Sequence, residues 1–306
     1  MLHPRLRRSL LYVPGNMPSM LQNIPIFPSD VCIIDLEDAV PRTEKDAARL
    51  LSRRFIEGYT QRNKELYVRI NGLDTPYFRD DLAQILPALP DGIRLPKCEH
   101  PSHLRRIDDL LTEFEEYLGC EIGRFKVIAS VESAQGILNV NETARASERL
   151  VALGFSAEDY TANLQIDRPK TGEHLVVPRQ LLLMACRAAG IQAIDTVWAD
   201  ASDQEGFRRE CEHIKVLGFD GKSLINPRQI DVIHDVFAPK QAEVDYALQV
   251  IDAIKRAREM GTGVISLKGK MIDAPVVKRA ARVLRTAYAH GLVDVIIHEE
   301  DIHGAE

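Results

Sequence analysis

The segment that decides the fold is residues 31–40, VCIIDLEDAV, in which a short apolar run ends in a cluster of acids. Residues 31–34 are apolar throughout, which is typical of a strand buried on both faces of a parallel sheet. Asp35, Glu37 and Asp38 then place three carboxylates within four positions. Because like charges repel, these acids either face solvent at the strand end or surround a cationic group.

Similar β-rich runs recur along the first 237 residues, and helix-like sequence follows them. The eight runs are Ser9–Val13, Val31–Leu36, Leu66–Ile70, Gly92–Leu95, Lys126–Val131, Leu150–Leu153, Ile194–Val197 and Gly218–Leu224. Strands that alternate with helices are parallel, and eight such units predict an α/β fold of the (β/α)8 TIM-barrel type. The alternative is an open doubly wound sheet. Against it, no G-x-G-x-x-G follows the first run and no Walker A loop is present.

The pattern changes after Phe237. A long helical segment follows, then a short β-turn-β segment within VISLKGKMIDAP, and a final helix from about Pro275 to His290. We therefore predict two parts: a barrel with the active site at 1–237, and a C-terminal segment at 238–306. This second part is expected to be too small for a core of its own, and to act as a helical lid or oligomerisation segment.

Composition narrows the class of protein. The 306 residues contain 39 basic and 45 acidic side chains, and the net charge of −6 argues against a nucleic acid or an anionic membrane as partner. No apolar run approaches the roughly 18 residues that span a bilayer. The five cysteines are scattered without a C-x-x-C pair, which indicates reduced thiols in a cytoplasmic protein.

Polar residues follow almost every predicted strand. In a (β/α)8 barrel the carboxyl ends of the strands meet at one rim, where catalytic residues lie. The residues at these ends are Pro14-Gly15, Glu37-Asp38, Arg69-Ile70-Asn71, Pro96-Lys97, Glu132-Ser133, Glu158-Asp159 and Asn226-Pro227. A single polar strand end is weak evidence, but their convergence predicts a site.

Two of these acids suit a metal ion. Glu132 alone could be an acid stabilised by the N-terminus of the following helix. Asp159 follows the next strand, and two carboxylates on adjacent strand ends suit Mg²⁺, which takes one or two protein carboxylates and completes its octahedron with other oxygens.

Two further residues have open interpretations. Arg69 could form a structural ion pair with Glu37 or Asp38, or it could bind a substrate carboxylate with two nitrogens. Asp273 precedes the last predicted helix and, on the residues alone, is a helix N-cap.

Several motifs in constant order resemble the beta-subunit family of bacterial citrate lyase, within the HpcH/HpaI aldolase/citrate lyase family. They are RRSLLYVPG (7–15), DLEDAV (35–40), EKDAAR (44–49), VRIN (68–71), RLPK (94–97), AEDY (157–160), GFDGKSLINPRQI (218–230) and GKMIDAP (269–275). The resemblance covers about residues 5–290. It implies a (β/α)8 barrel with a C-terminal lid, bound Mg²⁺ and cleavage of a 3-hydroxyacyl thioester.

The resemblance also assigns roles to residues. It implies metal ligands at Glu132 and Asp159, a substrate arginine at Arg69, an acidic group at Glu37 and a lid acid at Asp273. We expect Glu37 to hold a water at the metal and Asp38 to pair with arginine. The remaining substrate contacts are expected at Pro14, Gly15, Asn71 and Lys97. Ser156 departs from the family, which often has glycine there, and its side chain could narrow the pocket.

The expected reaction is cleavage of a citryl thioester, on coenzyme A or an acyl carrier protein, to oxaloacetate and an acetyl thioester. Citrate lyase alpha (transferase) and gamma (acyl carrier) subunits are the expected partners, and the family implies a homo-oligomer, such as a trimer, with shared sites. Citramalyl-CoA, giving pyruvate and acetyl-CoA, is the alternative substrate. A hydrolase, a condensing enzyme or a non-catalytic scaffold are further alternatives. A citryl site needs a second cation for the extra carboxylate, for which Lys97 is the candidate.

Overall fold

A computed structural model of the chain describes residues 5–60, 62–259, 265–267 and 270–294. Contacts between residues divide it into two compact units. The first is Arg7–Val236, and the second contains the described residues from Phe237 onward together with Arg5 and Leu6.

The first unit is a closed barrel of parallel strands. In chain order the strands are β1 Ser9–Pro14, β2 Val31–Asp35, β3 Glu65–Arg69, β4 Gly92–Leu95, β5 Lys126–Val131, β6 Leu150–Phe155, β7 Gln192–Asp195 and β8 Gly221–Leu224. Each strand pairs with the next, and β1 also pairs with β8. The predicted (β/α)8 barrel is confirmed, and the open sheet is excluded because no strand of the barrel is left with a free edge.

Helices surround this barrel. They are α1 Pro18–Leu21, α2 Lys45–Gly58, α3 Phe78–Ile85, α4 Pro101–Leu118, α5 Ala134–Leu138, α6 Val140–Thr143, α7 Ala157–Leu164, α8 Val176–Ala189, α9 Gln204–Leu217 and α10 Arg228–Phe237. Short 3₁₀ turns occupy Ile24–Ile26, Arg42–Glu44, Leu86–Ala88 and Glu173–Leu175. Strand β8 begins three residues later than predicted because Gly218 ends α9 at φ 110°, so residues 218–220 connect helix to strand.

The barrel interior contains a fully buried apolar layer. Its members come from six of the strands and contact one another: Leu10, Val31, Ile33, Tyr67, Ile128, Ala152 and Ile194. This layer makes the lower barrel a packed core, as side chains of alternating strand positions must fill it.

Four charged residues join the sheet to the helices outside it, and we call Arg179, Asp195, Glu210 and Lys222 the wall cluster. Arg179 of α8 donates to both oxygens of Asp195 on β7, at 2.8 and 2.9 Å, and to Glu210 of α9 at 2.7 Å. Lys222 of β8 lies 2.7 Å from Asp195 and 2.5 Å from Glu210. Two acids therefore face two bases, and every charge of the cluster has an opposite partner.

The second unit has its own small core. It consists of α11 Gln241–Glu259, an antiparallel pair β9 Ile265–Leu267 and β10 Lys270–Ile272, and α12 Ala274–Ala289. Buried side chains of α11 and α12, including Val244, Ile254, Val277 and Leu284, pack together. The expectation that this segment is too small for a core is therefore wrong, because the two amphipathic helices bury their apolar faces against each other.

Asp273 lies at the start of α12. Its carboxylate accepts a hydrogen bond from the Val276 backbone nitrogen at 3.0 Å, which confirms the predicted N-cap. Among the described residues, no helix is both long enough and apolar enough to cross a bilayer.

Candidate active site

A cavity of about 490 Å³ opens among the carboxyl ends of the strands. Strand ends from all around the barrel contribute to its lining, which includes Tyr12, Pro14, Asp35, Asp38, Arg69, Arg94, Ser130, Glu132, Ser156, Asp159, Thr196 and Ser223. Tertiary structure thus brings together residues that are far apart in sequence, at the rim where the sequence predicted a site.

Arg69 forms the densest set of ion pairs in the cavity wall. Its Nε and Nη2 each donate to one Asp35 oxygen at 2.6 Å, and its Nη1 lies 3.0 Å from Glu37 and 3.3 Å from Asp38. The parallel register of β2 and β3 causes this arrangement, because it places Asp35 directly beside Arg69. Of the two interpretations open for Arg69, the ion pair is present, and the expected pairing of Asp38 with arginine is observed. The principal partner, Asp35, was not assigned from the sequence.

Glu37 is buried beside Arg69, and burial is the largest influence on its pKa. Its Oε1 lies 3.4 Å from Lys97 Nζ. The pKa of Glu37 is raised to about 7, mainly by burial, against the attraction of Arg69 and Lys97 and with a contribution from the neighbouring Asp38 and Asp35. A carboxyl group with a pKa near neutrality can exchange a proton with a reacting group or with water.

Glu132 and Asp159 are the candidate metal ligands, and their environment fits a divalent cation. Burial raises the pKa of Glu132 to about 8, and the charges of Asp159 and then Glu37 add to the shift. The Glu132 Oε1 accepts a 2.7 Å hydrogen bond from the Lys97 backbone, and the Asp159 Oδ2 accepts one from Ser156 Oγ at 2.7 Å. A cation between the two acids would remove their repulsion.

The number of acidic ligands also fits magnesium. Within the part of the chain that the structure describes, no group of three or more His, Cys, Asp and Glu side chains is arranged to hold a metal. A pair of carboxylates leaves the other positions of an octahedron to water and substrate oxygens, which is the usual environment of Mg²⁺. Ser156, where the family often has glycine, orients one of these carboxylates and lines the cavity.

Lys97 links the two acids that have raised pKa values. Its backbone adopts the left-handed region at φ 51°, which is costly for a residue with a side chain and common at functional sites. This conformation is associated with donation from its N–H to Glu132, while its side chain, 53% exposed, reaches Glu37. The side chain lines a neighbouring cavity of about 460 Å³ that also touches Glu132 and Asp159. The predicted substrate contact of Lys97 stays a prediction.

Three other predicted contacts occupy different positions at the rim. Pro14 lines the cavity. Gly15 sits in a tight turn, where an added Cβ would lie 2.7 Å from Ser52 Oγ and 2.9 Å from the Asp35 carbonyl oxygen. Asn71 is buried, and its amide nitrogen donates to Asp81 at 2.6 Å and to the Leu36 carbonyl at 3.0 Å. These bonds give Asn71 a structural task, and its contact with substrate stays a prediction.

Sequence reasoning missed Arg94 and Tyr12. Arg94 lies on β4 inside the barrel, 2% exposed, and its Nε donates to Ser130 Oγ at 3.1 Å. The Tyr12 ring centroid lies 5.0 Å from Arg69 Cζ and 5.3 Å from Arg94 Cζ. The available signal was a charged residue within the otherwise apolar Gly92–Leu95, since a charge in a buried strand requires a reason.

A closed barrel with paired acids, arginines and a cavity at its strand ends defines an enzyme of the (β/α)8 class. Residues 8–227 match the family described as HpcH/HpaI aldolase/citrate lyase. The chain is 46% identical over 290 residues to citrate lyase subunit beta of Leuconostoc mesenteroides subsp. cremoris, covering 95% of this chain and 96% of that protein. It is 32% identical to mouse mitochondrial citramalyl-CoA lyase, and the match covers 92% of this chain and 86% of that protein.

A solved structure of a related protein has a similar fold. Protein CitE from Mycobacterium tuberculosis, in complex with magnesium, acetoacetate and coenzyme A, matches with a TM-score of 0.73 and 28% identity, covering 92% of this chain and 98% of that one. The chain therefore belongs to the HpcH/HpaI aldolase/citrate lyase family. The resemblance inferred from the sequence motifs is confirmed, and with it the prediction of a carbon–carbon lyase at the level of the family.

Proposed function

We propose that the chain is a Mg²⁺-dependent lyase that cleaves a citryl thioester into oxaloacetate and an acetyl thioester. The observation that carries the proposal is the rim cavity, where Glu132 and Asp159 share one lining with Arg69 and Arg94. The 46% identity to a protein named citrate lyase subunit beta, against 32% to a citramalyl-CoA lyase, supports the choice of substrate.

The reaction breaks the bond between C2 and C3 of the thioester. The C3 hydroxyl loses its proton and becomes the ketone of oxaloacetate, while the bonding electrons move to C2 and form the enolate of an acetyl thioester. Protonation of C2 then completes the second product. The protein must accept one proton, stabilise negative charge on oxygen, and deliver one proton to carbon.

Each task has a proposed residue. Glu132 and Asp159 hold the cation, which when bound stabilises the negative charge of substrate oxygens. Glu37, with a pKa of about 7, accepts the hydroxyl proton through a water molecule. Arg69 contacts the substrate by exchanging its 3.3 Å interaction with the exposed Asp38 for a substrate oxygen, while its two bonds to Asp35 fix its orientation.

The proton for C2 is proposed to come from Asp273 of a neighbouring subunit in a homo-oligomer such as a trimer. Its carboxylate is exposed and caps α12. Mixing the inactive variants Asp273→Ala and Glu132→Gln should restore part of the activity in hybrid oligomers, because one site then keeps both native acids. If subunits exchange and activity stays absent, the shared site is refuted.

Partners follow from the same resemblance. We propose that the acyl group is carried by a phosphopantetheine-bearing gamma subunit or by coenzyme A, and that a transferase alpha subunit recharges the carrier. A relative that is 46% identical to this chain carries the name of one subunit of such an assembly.

A product assay tests the reaction. The purified protein with Mg²⁺ is given citryl-CoA, carrier-bound citryl thioester and citramalyl-CoA, with malate and lactate dehydrogenases as coupling enzymes. Oxaloacetate from a citryl thioester is the expected result. Pyruvate from citramalyl-CoA alone would favour the second candidate, in which Ser156 narrows the cavity for a methyl group. Free thiol without a keto acid would indicate a hydrolase, and no product would indicate a scaffold.

A further inference from the structure

Arg94 is a buried cation without an anionic partner. It lines the rim cavity at 2% exposure. Its Nε is hydrogen bonded to Ser130, but Nη1 is buried and has no hydrogen-bond partner. Among the described residues no carboxylate lies within ion-pair distance of it. Because a buried charge without a partner is costly, this arrangement favours a ligand that supplies the missing anion.

The barrel wall is shaped around this guanidinium. Gly154 on β6 faces it, and an added Cβ there would lie 2.4 Å from Arg94 Nη2. The Tyr12 ring packs against Arg94, with its centroid 5.3 Å from Cζ, and also lies 5.0 Å from Arg69 Cζ. A second unpartnered buried group, the Ser223 hydroxyl, lines the same cavity. The cation is therefore held in a fixed orientation with a free donor and an additional hydroxyl available in the same cavity.

Among the described residues that line this cavity, the other arginine is already paired. All three guanidinium nitrogens of Arg69 contact the acids Asp35, Glu37 and Asp38. Lys97 lies beside Glu37, is largely exposed, and lines the neighbouring cavity. Of the two arginines that line this cavity in the described part of the chain, Arg94 is therefore the one with capacity for an additional carboxylate.

We propose that Arg94 is the specificity-determining residue that binds the carboxylate of the carboxymethyl group on C3, with Ser223 as an additional donor. The proposal rests on the proposed function, and it replaces Lys97 as the candidate for this contact. Citramalyl thioester carries a methyl group at the same carbon, which would leave the guanidinium buried and unpaired. A site built to bind a polar substrate group can reject an analogue that lacks it by about 10⁴-fold.

Binding of two stable 2-hydroxy acids tests the proposed role of Arg94 without catalytic turnover. Malate and lactate differ only by the carboxymethyl carboxylate, and their affinities in the presence of Mg²⁺ can be measured by calorimetry. The native protein should bind malate at least about 100-fold more tightly than lactate, as expected for a hydrogen-bonded charge. The variant Arg94→Met should reduce this preference to below about 5-fold, and Arg94→Lys should restore part of it.

Thermal stability separates a binding role from a structural one. Removing an unpaired buried charge should leave the melting temperature of Arg94→Met equal to or above that of the native protein. The matched control is Arg7→Met, since Arg7 is also buried but bonds Glu65 at 2.6 and 2.9 Å. This control should lose stability and keep the malate preference. Gly154→Ala, which displaces the guanidinium but keeps its charge, should also weaken the preference.

The outcomes distinguish this proposal from the proposed reaction. If the native protein shows no malate preference, or if Arg94→Met and Gly154→Ala keep it, Arg94 does not bind the carboxylate, whichever thioester is cleaved. If the preference depends on Arg94 but neither thioester is cleaved, the reaction is refuted and the carboxylate site stands. With an active enzyme, the ratio of citryl to citramalyl kcat/KM should fall at least about 100-fold in Arg94→Met.

Discussion

Two groups of charged residues in the same barrel have opposite electrostatic character. In the wall cluster two acids face two bases, and despite burial the attraction of Lys222 and Arg179 lowers the pKa of Asp195 to about 2. At the rim, burial and neighbouring acids raise the pKa of Glu37 to about 7 and of Glu132 to about 8. The wall cluster is electrostatically complete, whereas the rim has more acids than its bases can neutralise.

This electrostatic difference indicates which of the two groups binds a ligand. Burying charges is tolerated when each has an opposite partner, as in the wall cluster. Carboxylates with raised pKa values instead mark a place where a further cation or a proton is needed. The rim therefore accepts an exogenous cation, while the wall cluster joins helices to the sheet.

The largest expected effect on the rim is that of Glu132→Gln. Loss of a direct metal ligand should lower kcat/KM by at least about 10³-fold, since even residues behind the ligands contribute 10- to 100-fold. The fold should be kept, because the substitution removes one of two repelling acids. Steady-state kinetics and circular dichroism check this. Glu142→Gln is the control: it alters an exposed acid on α6 that does not line the cavity, and activity should be retained.

A substitution that unbalances the charges of the wall cluster should lower the stability of the protein. Asp195→Asn leaves Lys222 and Arg179 buried with too little negative charge, and the free energy of unfolding should fall by about 3–5 kcal/mol. Urea denaturation measures this. Glu205→Gln, at an exposed position on α9, should have little effect. Equal stability of Asp195→Asn and the native protein would contradict the conclusion that the wall cluster, unlike the rim, is electrostatically complete.

The pH dependence of stability should also distinguish the rim acids from the wall cluster, with a smaller effect. A carboxyl whose folded pKa exceeds its ordinary value of 4.5 binds more protons in the folded state, so the free energy of unfolding falls as pH rises. Without divalent cations, stability should therefore decline between about pH 4.5 and pH 8 on account of Glu37 and Glu132.

Two additions sharpen this measurement. Saturating Mg²⁺ should reduce the decline, with a stabilisation of about 2.7 kcal/mol at a concentration 100 times the dissociation constant. Glu132→Gln should reduce both the decline and the response to Mg²⁺. A decline that is unchanged by either would show that the rim acids do not form the cation site.

The smallest expected effect belongs to Ser156→Gly. This variant removes the hydrogen bond to Asp159 and should weaken Mg²⁺ affinity by about 10-fold, with kcat at saturating Mg²⁺ retained. Titration of activity against Mg²⁺ measures it. Ser147→Gly is an appropriate control, because its hydroxyl bonds Asp108 on α4, outside the cavity. Unchanged Mg²⁺ affinity would mean that Ser156 does not act through Asp159.

Local sequence patterns were enough to predict the barrel and the position of the site at its rim. Apolar runs alternating with helical segments are local patterns, and the parallel strands they imply force residues such as Glu132 and Asp159 to one end of the barrel. The motifs from Arg7 to Pro275 indicated the family. The N-cap role of Asp273 was also local, because the group it caps is three residues away.

The pairing of the charged side chains, in contrast, depends on the folded chain. Asp35 binds Arg69 because β2 and β3 pair in one particular register, and Arg94 enters the barrel because of its position on a strand whose neighbours enclose it. The wall cluster joins two strands and two helices across 43 residues of chain, from Arg179 to Lys222. These contacts depend on strand register and barrel closure, which no short window of sequence specifies.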